Sequence, residues 1–312
     1  MKKKPANNFS KFAPKKSNAA IKEQFKQEKR KFKKEREEYF EKKRSQSGVW
    51  SRESGVKSQH LVIGNRQPAT SNQQMPLNKF IAHSGVAARR EAAEMVKRGL
   101  VKVNGELVTE PGHKVSTKDE VRVNGKKIFV AKNLVYVLLN KPKDYITTTD
   151  DPQGRKTVLD IIGRATNERI YPVGRLDRNT SGVLLLTNDG ELAQKLTHPG
   201  NEVKKVYHVT LNKPLEKNDF YRILKGVTLE DGPAGVDVLA YADAKDKKQI
   251  GVEIHSGRNR IVRRIFEHLG YDIKNLDRVI FAGLTKKNVD RGKWRFLTEK
   301  EVRDLKHFGK GK

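Results

Sequence analysis

The first quarter of the chain holds too few apolar residues to form a hydrophobic core. Residues 1–74 are rich in Lys, Ser, Asn and Gln, and this composition favours disorder over a packed domain. Within that segment, the Glu and Lys pattern of residues 21–44 favours a charged helix, although its three Phe residues are too sparse for a buried stripe. The folded part of the protein is therefore predicted to begin at about residue 75.

The charge balance indicates a polyanionic partner. The 312 residues include 66 Lys and Arg against 37 Asp and Glu, which gives a formal net charge of +29. Such an excess attracts nucleic acid. A basic protein can also bind a membrane surface, but the sequence has no long apolar span, lipidation signal or strongly amphipathic basic helix. We therefore expect nucleic acid and no membrane as the partner.

Much of this charge lies near the N-terminus. Residues 1–48 contain seventeen Lys and Arg against six Glu, a net charge of +11. Blocks of like charge commonly act as interaction tails, so this segment is predicted to bind RNA phosphates. A solubilising charged extension has the same composition, and both interpretations remain open.

The residue types present argue against disulfides, metal sites and secretion. The chain has no Cys, which excludes disulfides, thiolate zinc sites and Cys nucleophiles. Its eight His are scattered without the close pairing of a catalytic zinc helix, so no metal is expected. The basic N-terminus is not followed by the apolar run of a secretory signal, which predicts a cytoplasmic protein.

A small helical and β-hairpin domain is predicted over residues 75–132. Residues 77–81 and 88–98 place apolar side chains at helical spacing. Asn-Gly dipeptides follow at 104–105 and 124–125, each between short apolar runs, and Asn-Gly is the strongest short signal for a hairpin. The order predicts a helix pair followed by two hairpins.

The remainder of the chain alternates short strands with a few helices. Strands are predicted at 135–139, 183–187, 206–211, 236–239 and 250–255. The helices are too few and too irregularly placed for a doubly wound parallel sheet. We therefore predict an α+β fold, with a mostly antiparallel mixed sheet and flanking helices over 133–308 and a basic tail at 309–312.

A glycine-bounded polar loop, VGRLDRNTSGVLLLT at 173–187, leads directly into an apolar strand. Polar loops on rigid strands are common places for catalysis. Asp177 lies between Arg175 and Arg178, whose positive charges would keep its carboxylate ionised even in a partly dry cleft. Such a carboxylate is a usable nucleophile or base. For a lone loop Asp, however, a turn-capping role is the more common explanation.

Two further segments contain candidate site residues. The strand at 204–211 alternates so that Tyr207 lies on its apolar face, where an ordinary core Tyr is the competing interpretation. Residues 261–269 have an apolar helical stripe, and four Arg are predicted in the first turns of this helix: Arg258, Arg260, Arg263 and Arg264. Cations there oppose the helix dipole, which favours an anion nearby. A basic surface helix would have the same charges.

Several motifs in one order resemble the bacterial ribosomal RNA pseudouridine synthases. The motifs are GRLD at 174–177, TSG at 180–182, LLLTNDG at 184–190, LLNKP at 138–142 and DPQGR at 151–155. Residues 75–132 resemble the S4 RNA-binding domain, notably LNKFIA at 77–82 and KVNG at 102–105. The resemblance spans about residues 75–308 and is nearer to the large-subunit branch of the family than to the small-subunit branch.

The resemblance implies a role for three residues. Asp177 matches the essential carboxylate of the family, and Tyr207 matches a tyrosine that stacks on the target uracil and is a candidate for helping to remove its C5 proton. Arg263 matches the basic residue that pairs with the carboxylate, with Arg264 as the alternative. Ile261 stands where many relatives have Gln, and an Ile side chain cannot form the hydrogen bond that a Gln would supply there.

Other cations are expected to contact RNA phosphates. In the S4 domain these are Lys79, Arg89, Arg90, Lys97 and Lys102. In the catalytic domain they are Arg175, Arg178, Arg258, Arg260 and Arg264. For each residue alone, a place on a solvated basic surface is as good an explanation as a phosphate contact. The residues taken as a set favour RNA binding.

The function implied is the isomerisation, without cofactor, of one uridine in ribosomal RNA, with 23S rRNA or a pre-ribosomal particle as the partner of a monomeric enzyme. The alternatives are 16S rRNA as the substrate, or an S4-domain assembly factor that has the fold without the chemistry. A glycoside hydrolase would need two carboxylates flanking one bond, whereas the neighbourhood of Asp177 is rich in Arg.

Overall fold

The computed structural model describes residues 74–130, 133–163 and 165–307. It begins with a short strand, β1 (Met75–Pro76), and two helices, α1 (Leu77–His83) and α2 (Arg89–Lys97). The Glu91 carboxylate accepts a hydrogen bond from the Ala88 amide at 3.1 Å, which caps the start of α2. The apolar faces of both helices pack together in one small core.

A four-stranded antiparallel sheet follows the helices. It contains β2 (Val101–Val103), β3 (Glu106–Leu107), β5 (Val121–Val123) and β6 (Lys126–Ile128), in the order β3-β2-β5-β6. Both Asn-Gly dipeptides have positive φ angles, as two-residue hairpin turns require. A further strand, β4 (Lys114–Val115), pairs with β1. The two predicted helices and both predicted hairpins are therefore present.

One nine-stranded sheet organises the rest of the described chain. Its strands are β7 (Tyr136–Lys141), β8 (Tyr171–Pro172), β9 (Ser181–Thr187), β10 (Lys205–Leu211), β13 (Val238–Tyr241), β14 (Gln249–Ile254), β15 (Ile273–Phe281), β16 (Leu284–Thr285) and β17 (Trp294–Phe296). The main order is β13-β14-β10-β15-β9-β7-β17, with β8 paired to β9 and β16 to β15. All of these pairs are antiparallel except β9 with β15.

Helices and a small hairpin flank this sheet. The helices are α3 (Val158–Ile162), α4 (Gly190–Thr197), α5 (Lys217–Lys225), α6 (Ile261–His268) and α7 (Glu299–His307), and the hairpin consists of β11 (Val227–Leu229) and β12 (Gly232–Ala234). Alternate residues of β9 enter two separate cores: Leu184 and Leu186 enter one, and Val183 and Leu185 enter the other. The centre of the sheet is therefore buried on both faces, which explains its continuous apolar strands.

The predicted α+β fold class, with its mostly antiparallel sheet, is confirmed. Strand β15 was not predicted, and it supplies the one parallel pairing of the described large sheet. The predicted disorder of the tail, the charged helix at 21–44 and the tail at 309–312 fall outside the described residues. No helix in the described part of the chain is long and apolar enough to cross a membrane.

Candidate active site

Asp177 lies in the loop that joins β8 to β9, and two sets of contacts hold this loop in place. The Thr147 hydroxyl donates to the Leu176 carbonyl at 3.0 Å and accepts from the Leu176 amide at 3.2 Å. Leu176 itself is buried in the core, whereas 37% of the Asp177 side chain is exposed. The loop therefore anchors one residue and presents the next to solvent.

A buried lysine provides the second set of contacts. Lys141, at the end of β7, is completely buried, and its ammonium donates to the backbone carbonyls of Pro142, Asp177, Arg178 and Thr180 at 2.9–3.2 Å. Burial lowers the pKa of Lys141 to about 8, against the opposing effect of the Asp177 and Asp144 carboxylates. The lysine fixes the backbone of Asp177 and of the residues that follow it, whereas Thr147 holds the residue before it.

Arg263 reaches Asp177 from helix α6. Its Nε lies 3.7 Å from Asp177 Oδ2, within the range of an ion pair but beyond that of a good hydrogen bond. Only 11% of the Arg263 side chain is exposed, and its terminal nitrogens donate to the carbonyls of Ile273 and Asn179 at 3.4 and 3.3 Å. Burial, followed by Arg260, lowers the pKa of Arg263, whereas Asp177 raises it. The guanidinium is thus aimed at the carboxylate by two backbone contacts.

Tyr207 lies on β10, on the buried face, directly opposite Arg278 of β15. Arg278 is fully buried: its Nε donates to the Val183 carbonyl at 2.8 Å, and its guanidinium lies 4.5 Å from the centre of the Phe281 ring. Burial lowers the pKa of Arg278, while its contact with the Tyr207 side chain opposes that shift. The tyrosine therefore lies beside a buried cation that β9 and Phe281 hold in place.

A cavity of about 300 Å³ brings these elements together, and we call it the central cavity. Asp177, Tyr207 and Arg263 all line it. Lys205 also lines it and donates to the carbonyls of Val203 and His255 at 2.9 and 2.6 Å. Burial, with a smaller effect of Arg278, lowers the pKa of Lys205 to about 8. The structure thus places the three predicted residues around one space that is large enough for a nucleobase.

The four predicted Arg of the helix start do not all lie on the helix. Because α6 begins at Ile261, Arg258 and Arg260 precede it, and Arg260 has the left-handed φ of +48°. Arg258 and Arg264 both bind Asp231, in the turn of the β11–β12 hairpin: Arg258 Nε at 3.0 Å and Arg264 NH1 at 2.9 Å. The prediction that all four lie in the first turns was wrong, since a sharp backbone turn separates the two pairs.

The remaining cations predicted to bind RNA occupy varied positions. Arg175 lines the central cavity, whereas Arg178 pairs with Asp144 at 3.4 Å and Arg260 with Glu267 at 3.2 Å. In the S4 domain, Lys79 forms an ion pair with Glu191 of the catalytic domain at 3.1 Å. The other four cations predicted there are exposed: Arg89, Arg90, Lys97 and Lys102.

Sequence reasoning gave no role to Lys141, Lys205 or Arg278. Lys141 and Lys205 stand at the ends of their strands and Arg278 lies inside β15; all three are at least half-buried, and buried charges are rare unless they are partnered. That rarity is the signal that could have identified them. In the described ranges, no group of three or more His, Asp or Glu is arranged to hold a metal ion.

Comparison with known proteins identifies the family. A model for RNA pseudouridylate synthases matches residues 135–268, and a model for the S4 domain matches residues 75–121. Ribosomal large subunit pseudouridine synthase B of Bacillus subtilis is 44% identical over 233 residues, which cover 74% of this chain and 95% of that protein. The chain belongs to the RNA pseudouridylate synthase family. It is therefore a pseudouridine synthase, an isomerase with an S4 domain before its catalytic domain.

Two other relatives agree with this assignment. Dual-specificity RNA pseudouridine synthase RluF of Escherichia coli is 35% identical over 237 residues, or 73% of this chain and 77% of that protein. A crystal structure of a pseudouridylate synthase is 29% identical, covers 74% of this chain and 99% of its own, and superposes with a TM-score of 0.55. The resemblance seen in the sequence motifs is confirmed.

Proposed function

We propose that this protein converts one uridine of 23S ribosomal RNA to pseudouridine, with Asp177 as its essential carboxylate. The observation that supports this most directly is the placement of Asp177 and Arg263 3.7 Å apart in a cavity that Tyr207 also lines. The 44% identity to a large-subunit synthase favours 23S over 16S rRNA as the substrate.

The reaction needs a charged carboxylate beside a desolvated base. Pseudouridine formation breaks the bond between ribose C1′ and uracil N1, joins C1′ to C5, and transfers the C5 proton away while N1 gains one. The mostly buried Arg263 places a positive charge 3.7 Å from the Asp177 carboxylate, where it is screened by water less than a solvated cation would be. Asp177 then acts either as a nucleophile toward the ribose or base, or as a base that removes a ribose proton.

Tyr207 is assigned the role of holding the uracil. Tyr207 forms part of the cavity wall, and the buried Arg278 lies opposite it on the neighbouring strand. A uridine taken out of its stack needs an aromatic or apolar surface to replace the stacking energy that it loses. The phenol is also the candidate for assisting the removal of the C5 proton.

The basic S4 domain is assigned the role of docking the RNA. Arg89, Arg90, Lys97 and Lys102 are exposed, and cations of this kind supply affinity through phosphate contacts rather than base recognition. These contacts would hold a ribosomal RNA segment while one uridine enters the central cavity.

Replacing the carboxylate tests the assignment of Asp177. Asp177→Asn keeps the size of the side chain and removes its charge, so we expect RNA binding to be retained and pseudouridine formation to be abolished. Asp150→Asn, an exposed carboxylate in the loop after β7, serves as the matched control and is expected to remain active. Retained activity in Asp177→Asn would contradict the mechanism.

Mapping pseudouridine in ribosomal RNA from cells with and without the gene tests the substrate. We expect one 23S position to lose its modification and to recover it with the wild-type gene but not with Asp177→Asn. Loss at a 16S position instead would contradict the large-subunit assignment while leaving the enzyme class in place. No change at any position would contradict the proposed function and favour a non-catalytic assembly factor.

A further inference from the structure

A second concavity of about 330 Å³ adjoins the central cavity, and we call it the neighbour cavity. Its walls include Thr147, Thr148, Asp151 and Arg155. It shares four residues with the central cavity: Arg175, Leu176, Asp177 and Asn259. The loop that carries the proposed catalytic carboxylate is therefore a partition with a space on each side.

Arg155 presents a fixed guanidinium plane to the neighbour cavity. The Asp151 carboxylate, only 5% exposed, accepts hydrogen bonds from the Arg155 backbone amide at 2.7 Å, from Nε at 3.1 Å and from NH2 at 2.6 Å. A two-pronged contact of this kind sets the orientation of the guanidinium plane as well as its position. Even so, 48% of the Arg155 side chain stays exposed.

At the wall formed by Arg155 the charge balance favours a base over a phosphate, whereas Arg175 adds a positive charge on the wall shared with the central cavity. Because Asp151 neutralises Arg155 at short range, the pair offers little net charge to an anion. The guanidinium face remains available for stacking, and unpaired RNA bases are commonly held on such planes. Asn259, exposed in the loop before α6, adds an amide that can both donate and accept hydrogen bonds.

We propose that the neighbour cavity receives the base of a nucleotide next to the target uridine, stacked on Arg155 and contacted by Asn259. The inference rests on the proposed function, since it assumes a uridine in the central cavity. Adjacent nucleotides are covalently joined, so when one occupies the central cavity the next lies close to that cavity and within reach of a bordering space. The neighbour cavity borders it across residues 175–177.

The test is a cycle that combines protein variants with altered RNA. The full-length enzyme and its Arg155→Ala and Arg155→Lys variants are assayed on an RNA stem-loop containing the mapped uridine, with an abasic nucleotide placed in turn at each flanking position. Arg303→Ala, an exposed Arg on α7, controls for the loss of one positive charge. Circular dichroism and thermal unfolding establish that every variant is folded.

We expect Arg155→Ala to lower kcat/KM on the intact RNA by roughly 5- to 100-fold, the usual range for the loss of one stacked base. Arg155→Lys should lose nearly as much, because it keeps the charge and loses the plane, whereas Arg303→Ala should match the wild type. At one flanking position, the abasic nucleotide should lower the kcat/KM of the wild-type enzyme by a similar factor. On that same abasic RNA, Arg155→Ala should have the same kcat/KM as the wild type.

Three results would overturn the proposal. The first is that Arg155→Ala and the abasic nucleotide lower kcat/KM independently of each other at every flanking position. The other two are full activity in Arg155→Lys and full activity in Arg155→Ala. Full activity in Arg155→Lys would indicate a phosphate contact instead of stacking. Binding of the same RNAs to Asp177→Asn protein, with and without Arg155→Ala, measures the coupling without turnover. If that coupling is present but the wild-type enzyme forms no pseudouridine, the proposed function fails while the cavity assignment stands.

Discussion

At the scale of single residues, Lys141 is the side chain on which the position of Asp177 most depends. Its ammonium contacts four carbonyls, three of which belong to the loop at 177–180. Removing it would leave those carbonyls without their buried partner, and the loop would have to move to regain hydrogen bonds from water. The lysine acts through the position of Asp177, so it is a positioning residue.

Lys141→Met should therefore lower kcat far more than it changes KM. A displacement of about 1 Å of a reacting group commonly costs about 100-fold in rate, and we expect a loss of that order. Single-turnover assays on the target stem-loop over a range of enzyme concentrations separate the two constants. Lys143→Met, an exposed neighbour two residues away, is the control and should behave as wild type. Equal losses in the two variants would contradict the positioning role.

The sequence was informative about Asp177, Tyr207 and Arg263 as candidate site residues, because family motifs and strand alternation single out their positions, and the three line one cavity. It gave no role to Lys141 or Arg278, whose partners come from distant segments: Lys141 contacts residues 36–39 positions away, and Arg278 contacts Val183. A buried cation can be recognised as unusual from its strand, but the carbonyls that satisfy it depend on the folded chain.

At the scale of elements, the parallel pairing of β9 with β15 joins the two halves of the large sheet. Gly182 lies at this joint with φ +112°, and a Cβ there would lie 2.1 Å from the Arg278 carbonyl, so only Gly fits. Beside it, the buried Asp277 carboxylate accepts from Ser181 at 3.1 Å, from Arg291 at 3.1 Å and from Lys286. The pairing of β9 with β15 is therefore stabilised in two ways: the backbones approach closely at Gly182, and Asp277 forms charged contacts beside it.

Asp277→Asn should destabilise this joint in a pH-dependent way. Burial raises the pKa of Asp277, but Arg291 and Lys286 lower it more, so the folded pKa lies below the usual 3.8. The ionised carboxylate therefore stabilises the fold above about pH 3.8, and that contribution is lost as pH falls through the folded pKa. At pH 7 we expect a loss of about 1–3 kcal/mol in the free energy of unfolding, because the buried carboxylate loses its charge while Lys286 and Arg291 keep access to water.

Urea unfolding at pH 7 and below pH 3.8 measures this effect. The difference between wild type and Asp277→Asn should shrink at the lower pH, since the wild-type carboxyl is then increasingly protonated. Asp304→Asn, an exposed carboxylate on α7, is the control and should change stability little at either pH. A difference that stays constant with pH would show that the charge of Asp277 is not the source of the stability.

The clamp formed by Asp231 with Arg258 and Arg264 fixes the start of α6, and so the direction from which Arg263 approaches Asp177. Asp231→Asn should lower kcat by about tenfold, because it weakens the charge-assisted contacts that hold Arg258 and Arg264 in place. It should leave RNA binding intact or tighter, because both Arg are then free for phosphate. Weaker binding in Asp231→Asn than in the neighbouring control Glu230→Gln would contradict this.

Local periodicity explains which elements were predicted. Strand β10 and helix α6 have regular apolar spacing: β10 was found within a residue of its predicted bounds, and α6 covers the predicted apolar stripe but begins after Arg258 and Arg260. Strand β15 was missed because Asp277 and Arg278 interrupt its apolar pattern. Those two charges are tolerated only because side chains and carbonyls from β9 and from residues 286–291 satisfy them, and that arrangement is not visible in a local window.

At the scale of the whole molecule, the S4 domain and the catalytic domain touch through α1 and the start of α4. Lys79 pairs with Glu191, and His83 lies close enough to Gly190 that a Cβ there would approach its ring at 3.3 Å. Burial lowers the pKa of His83, so a neutral imidazole is favoured at this contact. The contact sets how the RNA-docking domain is held relative to the central cavity.

The ion pair with Glu191 suggests a role for Lys79 in holding the two domains together, besides the predicted phosphate contact. Exchanging the charges at positions 79 and 191 distinguishes these two roles. Lys79→Glu alone should reduce kcat/KM by several-fold, because it places two carboxylates together, and Glu191→Lys should do the same with two cations. If the pair serves domain docking, the double variant restores the attraction and should recover most of the activity. We expect this recovery, since the side chain of Lys79 is only 28% exposed.

If Lys79 contacts an RNA phosphate, the result should differ, because a carboxylate at position 79 cannot bind a phosphate with either residue at position 191. The double variant would then stay weak, and the slope of log Kd against log salt concentration would fall by about one. Arg90→Glu, fully on the surface of α2, provides the reference for such a loss. Measuring the salt dependence of RNA binding for all four proteins therefore decides whether Lys79 holds the RNA or holds the two domains together.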